Sequence, residues 1–231
     1  IRDQPRSRGL GDVYKRQTWS CWHTDAAMDY MRTAIALVRQ EYPDLPYCFS
    51  FDGENTHFYR ERDLSFFDLA EHHIWMTKLN KQQFYHEVGQ AKDGRFTEEA
   101  YHLLADHALD VYHNKEDYWK QLLVDGIQTL AADAKAAGLP LATTECWGIT
   151  DYKDFPMLPW DWVKDLCARG VETACQTGQW ALMATSNFAA PQFCGMWRDV
   201  AWHQRLTTMI HEAPLPPEAE KTALGRTMRW K

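Results

Sequence analysis

Residues 139–148 read Leu-Pro-Leu-Ala-Thr-Thr-Glu-Cys-Trp-Gly, a short apolar run that ends on a glutamate. Gly138 and Pro140 stop the helical pattern before it, and a run this short, bounded by breakers, predicts a buried β-strand. Glu145 then stands at the end of that strand, beside Cys146 and Trp147. A carboxylate half-buried next to an aromatic is costly unless it has a partner or a task. Pairing with a nearby arginine or capping a loop would be the structural use, and catalysis the functional one. Glu145 is the first candidate for a catalytic carboxylate.

Working outward, a loop rich in aromatics and prolines follows over residues 147–160, and Asp161 is placed to cap a helix. Val163, Leu166, Cys167, Val171, Ala174 and Cys175 form its apolar face and Gly178 its end. Residues 180–187 (WALMATSN) predict a further strand, residues 197–211 an amphipathic helix, and 213–231 a truncated tail. On the other side, Trp119, Leu123, Ile127, Leu130, Ala134 and Ala137 make one helical stripe. Phe96, Ala100, Leu103, Leu104, His107 and Val111 make another. Residues 67–76 (FDLAEHHIWM) predict a strand with a polar Glu-His-His centre, and residues 45–51 (LPYCFSF) a buried strand ended by Asp52-Gly53. Before that, Thr24 or Asp25 caps a helix with Met28, Met31, Ile35, Val38 and Tyr42 on one face, ended by Pro43. Residues 1–17 carry four arginines and no apolar period; they resemble a non-native leader found on translated environmental fragments, or else form a disordered basic arm.

Strands that alternate with helices predict an α/β fold with a parallel sheet and outer helices. Four strands do not close a barrel of eight. The alternatives are a small open sheet and a partial (β/α)8 TIM barrel, about strands 5 to 8 with their helices, over residues 18–212. A leader joined directly to a helix favours the second.

The bulk numbers narrow the function. Among 231 residues, 25 basic and 32 acidic side chains leave a net charge of −7, with no long run of one sign, which disfavours nucleic acid and anionic membrane as partners. No stretch of 18 apolar residues is present to predict a membrane span. Six cysteines without a CxxC pair predict reduced structural thiols and lean toward the cytoplasm. No cofactor or metal motif stands out. The 11 tryptophans are the unusual feature. Several fill the core, but Trp19, Trp22, Trp75, Trp147, Trp160 and Trp197 fall near expected strand ends, where flat rings suit the C–H faces of sugars.

Thr143-Thr144-Glu145-Cys146-Trp147-Gly148 resembles the seventh strand of the large retaining clan of barrel glycosidases that includes cellulases and mannanases, in which a strand-end Glu is the nucleophile. His73-Ile74-Trp75 is similar to the sixth-strand His-x-aromatic of that clan, and residues 180–187 stand where its eighth strand would be. The resemblance spans about residues 18–212 and is greatest to proteins described as cellulase-like or sugar-binding. It implies a carbohydrate substrate, Glu145 as nucleophile, and His73, Trp75, Trp147, Asn187, Trp19 and Glu54 around the sugar. Two positions depart from the clan: Trp75 replaces a common Tyr, and Asn187-Phe188 replaces the tryptophan at the tip of strand eight. Of the two adjacent histidines, His73 shares a face with Trp75 by the period-two rule.

Retaining hydrolysis needs a second carboxyl about 5–5.5 Å from the nucleophile. The clan's Asn-Glu acid/base pair at the end of strand four is absent, and the sequence resumes at Thr18-Trp19-Ser20, after the place it would occupy. The acid is therefore expected in a missing N-terminal half of the barrel, and the fragment alone is expected to be inactive; a second arrangement makes Glu54 the acid. Two other functions compete: a non-catalytic sugar-binding protein of the same fold, and a metal-dependent hydrolase suggested by ten histidines with Asp52 and Glu54 but lacking an HxH or HExxH pattern.

Overall fold

The computed structural model describes residues 24–90, 97–149, 159–184, 198–223 and 225. Thr24 caps α1 (Asp25–Glu41), its hydroxyl accepting from the Ala27 N–H at 3.3 Å. Met28, Met31 and Ile35 are buried as the spacing predicts, with Ala27 beside them, whereas Val38 and Tyr42 at the end of the stripe are exposed. The next strand, β1 (Ser50–Asp52), is shorter than the apolar run 45–51. The Tyr47 N–H is taken by the Asp68 carboxylate at 2.8 Å and its carbonyl by the Asp68 N–H at 2.9 Å, so a side chain and a loop replace the ladder there.

A short helix, α2 (Phe58–Glu61), leads to β2 (Ala70–Trp75), buried along its whole length. A 3-10 turn (Met76–Lys78) then enters α3 (Leu79–Val88), whose first turn holds Asn80, Lys81 and Gln82 in left-handed backbone. The long helices α4 (Glu98–Asn114) and α5 (Glu116–Ala136) come next. α5 buries Trp119, Leu123, Ile127, Leu130 and Ala134 as expected, whereas α4 buries Ala100, Leu104, Ala108 and Tyr112 and leaves His107 exposed, and Phe96 lies outside the described residues. The strand expected over 139–146 forms as two pieces, β3 (Leu141–Thr143) and β4 (Cys146–Trp147). Helix α6 (Asp161–Thr177) begins one residue earlier than expected: Trp160 is the cap, and Asp161 lies in the first turn, where its charge favours the helix dipole. β5 (Trp180–Met183) and α7 (Val200–Glu212) complete the order.

Among the described residues every strand pairing is parallel, in the order β1-β2-β3-β5, with β4 continuing the line of β3 beside β2. Strand neighbours in space are neighbours in sequence, so the sheet is wound in one direction. Right-handed crossovers in one direction put helices on one face and leave the other as a lining. Alternate residues of β2 report the two faces. His72 meets the Tyr59 hydroxyl of α2 at 3.2 Å, and Ile74 lies so close to Gly126 of α5 that an added Cβ would sit 3.0 Å from its Cδ1. Glu71 and His73 face the other way.

The helix-side core is aromatic: Phe84 stacks on Trp162 at 5.5 Å and meets Trp119 edge-on at 5.3 Å. Each such side chain contributes roughly 1.5–3 kcal/mol by leaving water. Cys48, Cys146, Cys167 and Cys175 are not in disulfides; burial pushes the Cys48 thiol up to about 12. Among the described residues no helix is long and apolar enough to cross a membrane.

Candidate active site

The break between β3 and β4 has a simple origin. Glu71 pairs with Ala142 and Ile74 with Cys146, so two residues of β2, His72 and His73, lie opposite three, Thr143, Thr144 and Glu145. That is a β-bulge, which bends the strand and re-aims a side chain. It falls at Glu145, at the C-terminal edge of the sheet, where functional groups of parallel α/β folds gather.

Two features of the next residues fix the bend. Trp147 has φ of 133°, a left-handed backbone that costs a non-glycine residue about 1–3 kcal/mol. Its ring is held against α6 at Gly170, where an added Cβ would lie 2.5 Å from the Trp147 Cγ, so only glycine fits. Trp180 closes over the same ring at a centroid distance of 5.9 Å.

On the lining face the bulge meets a buried polar cluster. Glu71 Oε1 accepts from the Thr144 N–H at 2.9 Å and from the Thr144 hydroxyl at 2.8 Å. His73 Nε2 lies 3.1 Å from Glu71 Oε1, 3.2 Å from Ser50 Oγ and 3.2 Å from Thr144 Oγ1. Burial alone would raise the Glu71 carboxyl, but bonds from His73, Ser50 and the Thr144 N–H together hold it below the ordinary carboxylate value. On the far side of the ring, His73 Nδ1 is 3.5 Å from Glu145 Oε2. A histidine thus stands between two carboxylates, one buried and one with its side chain 37% exposed.

The predicted residues separate clearly. Glu145 and His73 are brought together. Trp75 shares the strand with His73 but is 1% exposed, with the Lys78 ammonium 5.9 Å from its ring centre. Trp147, expected beside the carboxylate as a sugar platform, is fully buried on the helix side because the bend turns its ring onto Gly170. Glu54 is exposed on the loop after β1 and accepts the Lys81 N–H at 3.3 Å, tying that loop to the left-handed turn of α3. Asp52 is paired with Lys78 at 2.5 Å. Trp19 and Asn187 lie outside the described residues.

Sequence reading missed Glu71, Ser50 and Lys78. The signal for Glu71 was available: it is two residues before His73, on the same face of the same strand.

The described residues form an α/β fold with a one-way parallel sheet and a carboxylate at its C-terminal edge, set by a bulge and backed by a strand histidine. The model of the family described as "Cellulase-like: Sugar-binding cellulase-like" matches residues 5–211, and the chain belongs to that family. Among solved structures it is similar to a candidate glycoside hydrolase from Parabacteroides distasonis, at 41% identity and a TM-score of 0.82 over 94% of this chain. The chain spans 58% of that protein's length. Comparison with the curated proteins gave no match.

Proposed function

We propose that the chain is the C-terminal half of a (β/α)8-barrel glycoside hydrolase that cleaves a β-linked oligo- or polysaccharide with retention, and that Glu145 is its nucleophile. The observation that carries this reading is the bulge that lifts Glu145 out of the strand ladder at the C-terminal edge, 3.5 Å from His73. A nucleophile must be open to the sugar and held in direction, and Glu145 is partly exposed while its neighbours are bonded in place. On this reading the four strands correspond to strands 5 to 8 of the barrel. The sequential strand order and the 58% coverage of the Parabacteroides protein support it.

His73 lines the sugar site beside Glu145, and Glu54, Trp19 and Asn187 are assigned to its rim. The acid/base carboxyl comes from the half barrel that would complete the ring, about 5–5.5 Å from Glu145. In a parent protein that carries both halves, Glu145→Gln abolishes turnover of its β-glycan; unchanged turnover removes the assignment.

The family description favours a second reading, a sugar-binding protein of the same fold without catalysis. A parent with no carboxyl within reach of Glu145 but with measurable glycan affinity would decide for it.

A further inference from the structure

Glu71 belongs to no expected site, yet it is the most connected buried charge of the described lining face. Three features of its surroundings point the same way. The first is the bulge: the extra residue takes Thr144 out of register with β2, and its N–H is received by the Glu71 side chain at 2.9 Å. Thr144 itself is exposed, so this carboxylate holds a backbone group that otherwise faces solvent. The residue fixed in this way is the one immediately before Glu145.

The second is the direction of protons around His73. The Thr144 hydroxyl spends its hydrogen on Glu71, so toward His73 its oxygen can only accept; an ionised Glu71 also only accepts. The Ser50 hydroxyl, 3.2 Å from Nε2, likewise bonds Glu71, so the three oxygens around Nε2 all accept from it and Nε2 carries a ring hydrogen. That bond fixes the ring, with Nδ1 standing 3.5 Å from Glu145 Oε2.

The third is the economy of the contacts. The Thr144 N–H, the Thr144 hydroxyl and His73 all meet one oxygen, Oε1, while Oε2 has no hydrogen-bond partner among the described residues.

We propose that Glu71 is a positioning residue for Glu145, acting through the Thr144 backbone on one side and the His73 ring on the other. This rests on the reading of Glu145 as the reacting carboxylate. Glu71 does not touch the sugar; it clamps the bulge and selects the histidine tautomer.

Nitrogen-15 NMR of the histidine side chains and amide hydrogen exchange of the 231-residue chain test it without any sugar. In the wild-type chain the His73 hydrogen resides on Nε2. Glu71→Gln keeps an oxygen acceptor and puts its amide where Oε2 makes no bond, so the tautomer and the slow exchange of the Thr144 amide survive. Glu71→Leu removes the acceptor: the hydrogen moves to Nδ1, toward Glu145, and the Thr144 amide exchanges on the order of tenfold faster or more. A wild-type His73 with its hydrogen only on Nδ1 overturns the clamp even if Glu71→Leu does not fold. So does a folded Glu71→Leu chain with unchanged tautomer and exchange. Those failures leave the reading of Glu145 standing, whereas full turnover by Glu145→Gln in the parent removes that reading and leaves the clamp intact.

Discussion

Burial alone would raise the Glu71 carboxyl, but His73, Ser50 and the Thr144 N–H bond its charged form and hold it below the ordinary value. The consequence for stability has a definite sign. A carboxyl held below its unfolded value, about 4.3 for Glu, contributes stability that is fully present above that pH and is lost as pH falls through the lowered folded value. Urea denaturation over the acid range should therefore show a shallower pH dependence for Glu71→Gln than for wild type; identical slopes would mean that the fold does not lower the Glu71 carboxyl at all. Glu145 makes the opposite case. It is partly exposed and His73 Nδ1 lies 3.5 Å away, so Glu145→Gln should alter unfolding free energy by no more than about 0.5 kcal/mol. A much larger loss would make Glu145 a structural residue.

The elements themselves explain what the sequence could and could not reveal. Helices α4, α5 and α6 were legible because their apolar stripes have a helical period, and α5 and α6 are also followed by Gly138 and Gly178, both in left-handed backbone. The strand carrying Glu145 was legible as a strand, but its bulge was not, since one extra residue shows only against the partner strand. The fate of Trp147 followed from that: a residue that alternation would place by parity was turned onto α6 by a φ of 133°. The site was half legible for the same reason, with Glu145 and His73 read from their strand ends and Glu71 overlooked as a blemish in an apolar run. Gly170 and Gly126 offer a paired test. At Gly170 a methyl group would strike the root of a caged indole, whereas at Gly126 it would meet the movable tips of Ile74 and Leu79 at 3.0 and 3.1 Å. Gly170→Ala should lower stability by about 1–3 kcal/mol or more and Gly126→Ala by distinctly less, read from denaturant midpoints. Equal effects would contradict the packing of Trp147.

For the whole molecule, the sheet's two ends matter most. Among the described residues β1 and β5 each pair on one side only, and Tyr30, Leu37, Val38 and Tyr42 leave an apolar face on α1 exposed. Open parallel edges beside apolar surface are what a half barrel would show before its other half closes the ring. Joining the chain to that half should raise its thermal midpoint and reduce binding of hydrophobic dyes; no change in either would favour a self-sufficient open sheet. The chain alone should not hydrolyse β-glucan or mannan. The most direct test of the central claim is covalent trapping in the completed barrel, using a panel of 2-fluoro β-glycosides with dinitrophenolate leaving groups. Mass spectrometry should find a single glycosyl adduct on the peptide that carries Glu145; an adduct on another carboxylate, or hydrolysis with the Glu145 peptide unlabelled, would contradict the account.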